Sequence, residues 1–323
     1  MTQTDMETYI QDAFADVGFS SSELAIFSSL FEVKIFAAKE VMMKQGDLAT
    51  GLYILVDGSV NVNIQIPGSL PKRIVLTGRN IFFGEISLIE ASIATATVQA
   101  EKDMRCLFLS AKKYRALGVI YPDIDFKIML KLKNIILPRL ADNINEIAKN
   151  KAEFIGIDAP GSCKLVKKTL SEHLLHQAGI TQALLRFLGV FNDFNDEELL
   201  FLINNMTGVV LEKGALLTGQ QSSWFIIRGA MQVLVANQDG GSQLMIMPPG
   251  KLIDAQLLTL VQGKVHCKAQ NDMLLFCLDE DVLNTLRQTH PSLYHRYLKL
   301  AMSSLAQFFT VTNKKLVQID SGC

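Results

Sequence analysis

One strand-rich pattern occurs twice in this chain, and the repetition constrains the fold more than any other feature. In the first copy Gly51-Leu52-Tyr53-Ile54-Leu55-Val56 runs into Asp57-Gly58, after which Val60, Val62, Ile64 and Ile66 alternate with Asn61, Asn63 and Gln65. Alternation at period two buries one face of a strand and wets the other. An Asp-Gly pair between apolar runs supplies the positive φ of a tight hairpin. In the second copy Ser223-Trp224-Phe225-Ile226-Ile227-Arg228-Gly229 leads into Met231, Val233 and Val235. The turn glycines stand 229 − 58 = 171 residues apart. Downstream, AEKDM at Ala100–Met104 matches AQNDM at Ala269–Met273, 269 − 100 = 169 residues apart. Short insertions and deletions between two copies of one unit account for the drift.

Around the first hairpin, Pro67-Gly68 breaks the strand and Arg73–Leu76 restarts one. Phe82-Phe83-Gly84-Glu85 leads into a short helix over Ile86–Ile89, and strands resume at Thr97–Ala100 and Arg105–Leu109. From Asp123 the apolar spacing changes to three and four (Phe126, Met129, Leu130, Leu132, Ile136, Leu137, Leu140, Ile144, Ile147), which predicts a helix to about Lys149. Pro138 predicts a kink or break in it. Asp158-Ala159-Pro160-Gly161-Ser162 marks a linker, and a final helix is expected over about Glu280–Phe309, interrupted at His290-Pro291. The expected fold is α+β, mainly β: two tandem jelly-roll-like β-rolls, each followed by a closing helix. The expected domains are 1–150, a helical linker 151–184, and 185–323. A chain of 323 residues that is 49% hydrophobic and 20% charged has material for two such cores.

The first copy resembles the cyclic-nucleotide-binding domain of catabolite activator proteins and kinase regulatory subunits. Gly46-Asp47, the GLYILVDGSV hairpin, Asn80–Leu88 (NIFFGEISL) and TATVQAEKD carry the resemblance in order and spacing, over about Phe19–Ile147. The second copy, about Leu185–Phe309, resembles it more weakly. In that family a Phe-Gly-Glu segment opens a short helix whose backbone N–H groups face the cyclic phosphate, the Glu accepts from the ribose 2′-hydroxyl, and an Arg further on pairs with the phosphate. The resemblance implies cAMP or cGMP as ligand, with Gly84, Glu85, Ile86 and Ser87 in the first part of the site. The Arg position falls on Ala94, with Thr95 beside it as a hydroxyl donor. In the second copy Ile253-Asp254-Ala255 replaces Phe-Gly-Glu, and the Arg position falls near Gly263. In the family, ligand binding moves the closing helix, so the 123–149 helix is the expected contact with another protein or with a second copy.

Other chemistries find little footing. His173 and His176 have no third ligand at helical spacing, Ser171-Glu172-His173 is no assembled triad, and a Gly-rich phosphate loop with Lys-Ser/Thr is absent. No enzyme activity is therefore expected. Leu174–Thr181 followed by Leu184-Leu185-Arg186 superficially fits helix–turn–helix, with Lys164, Lys167 and Lys168 nearby, but it runs straight into the lead-in of the second roll. A formal net charge of −1 advertises neither nucleic acid nor membrane. Five scattered cysteines with no CxxC pair, and an opening without a basic and apolar leader pattern, suit the cytoplasm. The reading is a non-enzymatic regulatory or interaction protein whose nucleotide affinity is cut by the missing Arg. A true cAMP or cGMP sensor acting through the first copy, and a DNA-binding regulator, are the alternatives.

Overall fold

In the computed structural model the described residues are 2–68, 70–90, 93–149, 166–169, 179–217, 222–237, 240–261 and 263–320. The breaker cluster 158–162, His173, His176 and the first half of the helix–turn–helix segment lie outside them. The chain divides into two units, Met1–Pro138 with Asn313–Cys323, and Arg139–Thr312.

The first unit opens with α1 (Gln3–Ala13) and α2 (Ser21–Ser28). Each starts on a reciprocal capping box, Thr2 with Asp5 and Ser20 with Glu23, which satisfies N–H groups that a helix start leaves unpaired. Phe14, Phe27 and Phe82 meet edge to face and seat the two helices on the roll. The strands β1 (Glu32–Phe36), β2 (Val41–Met43), β3 (Gly51–Asp57), β4 (Ser59–Ile64), β5 (Lys72–Thr77), β6 (Ile81–Phe83), β7 (Thr97–Ala100) and β8 (Met104–Ser110) form two antiparallel sheets, ordered β1-β8-β3-β6 and β2-β7-β4-β5. The strands β3 and β4, expected as a hairpin, enter different sheets and do not pair; β3 carries a bulge between Leu55 and Asp57 against β8, and the chain crosses to the other sheet at Gly58 with φ +102°. A Cβ on Gly58 would meet the Met104 side chain at 2.5 Å, so the turn needs glycine twice over. Between the sheets lie Met43, Tyr53, Leu55, Val60, Phe83, Ala94, Val98 and Met104.

Helix α3 (Glu85–Glu90) joins β6 to β7, and α4 (Ala111–Ile120) and α5 (Pro122–Lys149) follow β8. Helix α5 runs through Pro138 without the expected break. That proline and Asn134, whose carbonyl it leaves unpaired, both stand exposed, where water can serve the carbonyl. Lys127 of α5 bonds Glu23 at 2.7 Å and the Gly18 carbonyl, and Lys131 bonds Asp16 at 2.8 Å. The apolar stripe of α5, from Ile124 through Ile128, Leu132, Ile136, Leu140 and Ile144 to Ile147, is buried within the single chain. The last residues also complete this unit: Val317 packs against Ile64 and Ala96, and Asp320 pairs with Lys72 at 3.2 Å.

The second unit comprises β9 (Val166–Thr169), α6 (Gln182–Phe187), α7 (Asp196–Asn204), β10 (Thr207–Leu211), β11 (Ser222–Arg228), β12 (Met231–Asn237), β13 (Gly240–Met247), β14 (Leu252–Ile253), α8 (Ala255–Leu260), β15 (Val265–Ala269), β16 (Met273–Asp279), α9 (Glu280–Thr289) and α10 (Pro291–Asp320), the last up to Thr312. Its sheets, β14-β11-β16-β10-β9 and β13-β12-β15, reproduce the strand order of the first unit. The isolated bridge Leu216↔Lys268 stands where β2 would pair, and the bulge of β3 recurs in β11 between Ile226 and Arg228. Both closing helices start on a proline after the same elbow. Tyr121 N–H donates to the Leu117 carbonyl in one unit, and His290 N–H to the Leu286 carbonyl in the other. The tandem rolls with closing helices are thus present. Within the segment read as a helical linker, Val166–Thr169 is instead a strand, β9, paired with β10. The last helix runs to Asp320, well past Phe309.

Candidate functional site

In the first unit β6 pairs with β3, Phe83 opposite Tyr53, and the chain then turns at Gly84 with φ +82° into α3. A Cβ on Gly84 would run into the Gly51 carbonyl oxygen and stand 3.2 Å from Met43 Cε. Glycine is therefore dictated by the backbone here, and it also leaves the start of α3 without a side-chain cap. The N–H groups of Glu85, Ile86 and Ser87, as the first helical residues, have no acceptor within the helix. Glu85 is buried at 4% exposure, and Ile86 is buried against the roll.

The other half of the site lies on the segment after α3. It is laid antiparallel along Gln45–Leu48, with Leu48 bridged to Ile93. Ala94 N–H donates to the Asp47 carbonyl at 2.8 Å, and Gly46 N–H donates to the Ala94 carbonyl at 3.0 Å. The Ala94 side chain is 1% exposed and belongs to the same apolar cluster as Met43, Phe83 and Val98. Gly84 and Ala94 thus come together around Met43, while Thr95 sits half-buried in the bend that follows. Tyr53 stacks flat on Phe83 with centroids 5.1 Å apart and lies 4.6 Å from Phe108. Burial raises its phenol above the ordinary value, against the bond to the Thr50 hydroxyl. At the position where the family resemblance puts a phosphate-binding guanidinium, the roll is closed by a methyl group.

The second unit can be compared position by position because its strands pair in the same register. Trp224 faces Ile253 as Tyr53 faces Phe83, so Asp254 occupies the place of Gly84 and Ala255 that of Glu85. The replacement changes the backbone as well, since Asp254 has φ −78°. Its carboxylate is 1% exposed and caps α8, accepting from Gln256 N–H at 3.0 Å and Leu257 N–H at 3.3 Å. Its other oxygen accepts from the Tyr297 hydroxyl of α10 at 3.1 Å. Burial drives the Tyr297 phenol well above its ordinary value, and the neighbouring Asp254 carboxylate pushes it further. In the fold Asp254 fills the helix start itself.

Arg186, the cation nearest the suspected helix–turn–helix, donates to the Phe191 and Phe194 carbonyls and to Asp196 at 2.8 Å. Lys167 and Lys168 lie on β9 rather than on a helix. Among the described residues no cluster of His, Cys, Asp or Glu could hold a metal ion, and no helix is long and apolar enough to cross a membrane.

Residues 33–118 match the family model of the cyclic nucleotide-binding domain. A Rhodopseudomonas palustris protein named as a potassium channel is 32% identical over 130 residues, 40% of this chain and 30% of that protein. A cyclic AMP receptor protein from Thermus thermophilus is 28% identical over 100 residues, 31% of this chain and 46% of that one. The matches therefore span less than half the length of either relative. A solved cyclic nucleotide-binding domain from Methylobacillus flagellatus aligns at 20% identity and TM-score 0.43, covering 47% of this chain and 88% of its own. The first unit carries a cyclic nucleotide-binding domain, and the second unit repeats its strand order.

Proposed function

We propose that this is a non-enzymatic regulatory protein acting through protein contacts, in which neither roll depends on tight binding of a cyclic nucleotide. The observation that carries the reading is Ala94. It is sealed into the apolar interior with both backbone groups bonded, and its methyl group cannot pair with a phosphate. Losing one partner of a buried charge pair costs about 2–5 kcal/mol, or roughly 30- to several-thousand-fold in affinity. The buried thiols of Cys106 and Cys267 support a reducing, cytoplasmic setting. The contact surface on α5 differs from the sequence expectation in character. Its apolar stripe is already covered, so a partner docking on the helix as it stands meets Asp123, Asn134, Asp142 and Glu146.

The buried Glu85 favours a second reading, a cAMP or cGMP sensor in which Gly84, Glu85, Ile86 and Ser87 hold the ribose and phosphate and Thr95 stands in for the Arg. Isothermal titration with cAMP and cGMP, repeated on Glu85→Ala, separates the two. The proposal expects no heat below about millimolar nucleotide. Binding tighter than roughly 10 μM that disappears in the variant would establish the sensor.

A further inference from the structure

We infer that the second roll carries its own latch: a buried hydrogen-bond circuit through Ser223, Asp254 and Tyr297 that holds α10 closed on the roll without any ligand. The donors can be ordered from the geometry. Tyr297 spends its one proton on Asp254, so the 2.6 Å bond between Ser223 and Tyr297 must have the serine donating. Ser223 in turn accepts from Ala255 N–H at 3.1 Å. The circuit thus runs from the first N–H of α8 through Ser223 on β11 to Tyr297 on α10, and returns through Asp254 to the next two N–H groups of α8. Seven residues further along α10, the Ser304 hydroxyl donates to the Leu252 carbonyl at 2.5 Å, a second tie to the strand that precedes α8.

The internal repeat shows that this circuit replaces something. Strand register and the shared elbow place Leu52 at the position of Ser223, Gly84 at that of Asp254 and Ile128 at that of Tyr297. Leu52 and Ile128 are each 0% exposed. All three positions are apolar in one unit and polar in the other, though in the second unit they sit on three separate elements. Ser304 extends the pattern, standing where the first unit has Ile135. A partly satisfied buried polar network is worse than an apolar core, so such changes are stable only together. In this arrangement the carboxylate at the helix start belongs to the protein, and the helix that reports on the site is bonded to that carboxylate. The closed position of α10 is therefore fixed by the sequence, whatever the nucleotide affinity of the first unit.

Hydrogen exchange on the whole chain tests the latch. Tyr297→Phe removes one hydroxyl and little volume, and Ser223→Ala breaks the circuit at a second point. Each is expected to speed exchange of the α10 amides between Tyr294 and Thr312 by about 10- to 100-fold, with β11 and β16 protected as before. Because the circuit is broken once either link is gone, the double variant should exchange about as fast as the singles. Acceleration spread evenly over the unit, or additive effects of the two substitutions, would overturn the inference. In the unsubstituted protein, millimolar cAMP or cGMP should leave α10 exchange unchanged, and protection of α10 by nucleotide would also overturn it. Nucleotide effects confined to the first unit would instead count against the proposed function alone.

Discussion

Putting an arginine back at position 94 tests the central argument in both directions. In Ala94→Arg a guanidinium is forced among Met43, Phe83 and Val98, at a residue whose backbone is clamped between Gly46 and Asp47. Without ligand it is a buried, unpaired charge, which costs about 3–5 kcal/mol. For a unit of this size, each kcal/mol lowers Tm by roughly 2–4 °C, so the first unit should melt roughly 6–20 °C lower. With ligand the same charge has its partner, and affinity should rise by the roughly 30- to several-thousand-fold that the alanine gives up. With a hundredfold gain, within that range, a dissociation constant near 1 mM would fall to about 10 μM. At 1 mM cAMP the site would then be stabilised by about 2.7 kcal/mol, recovering much of the lost Tm. Thermal melts with and without nucleotide, on Ala94→Arg and on Ala94→Arg with Glu85→Ala, read all of this at once. A folded Ala94→Arg protein that binds cAMP no better than the parent would refute the assignment of position 94. An unchanged melt without ligand would refute its burial in the apolar interior.

Two further predictions concern charge and thiol chemistry. Burial opposes ionisation of Glu23 and Asp16, but bonds from Lys127 and from Lys131 with Asn134 outweigh it and hold both carboxyls below their ordinary values. Groups depressed in the folded state stabilise it above their unfolded values of about 4 and lose that contribution as pH falls through the folded ones. Resistance to urea should therefore fall between about pH 5 and 3 more in the parent than in a Lys127→Met, Lys131→Met variant, and parallel losses would show the clamp to be idle. Burial pushes the Cys106 and Cys267 thiols up to about 12. At pH 8 only about one in ten thousand would be thiolate, so iodoacetamide should spare both in the native protein and label both in denaturant. Rapid native labelling at either position would contradict its burial.

That the two strands of each expected hairpin enter different sheets was not legible, but the strand–glycine–strand units were, because two signals coincided at each: apolar residues at period two, and a glycine where the chain turns. Their recurrence at 171 and 169 residues then exposed the tandem plan before any contact was known. Strand β9 was not legible. Val166-Lys167-Lys168-Thr169 is four residues long, half of them lysine, and what makes it a strand is the free edge of β10. Helices α1 and α2 did announce themselves through Thr2 with Asp5 and Ser20 with Glu23, a signal passed over beside the stronger strand pattern. In the first roll, Gly84 and Ala94 could be placed from the sequence. That both approach one methionine, and that Ala94 seals an apolar cluster, needed coordinates. Asp254 stood out only within the segment that replaces Phe-Gly-Glu, and Ser223 and Tyr297, 31 and 43 residues away (254 − 223 and 297 − 254), did not stand out at all. Only superposing the repeats position by position shows three apolar places turned polar together.

The return of the last residues to the first unit bears on how the chain is made. Because Asn313–Cys323 are grouped with Met1–Pro138, the first unit is interrupted in sequence and the second is written inside it. A ribosome therefore delivers every residue of the second unit before it releases Val317 and Asp320, which complete the packing around Ile64, Ala96 and Lys72. At about 5–20 residues per second, the first roll waits roughly 10–40 s between the emergence of its bulk and that of its closing segment. The order of synthesis and the order of completion are thus inverted between the two rolls: the one made first is completed last.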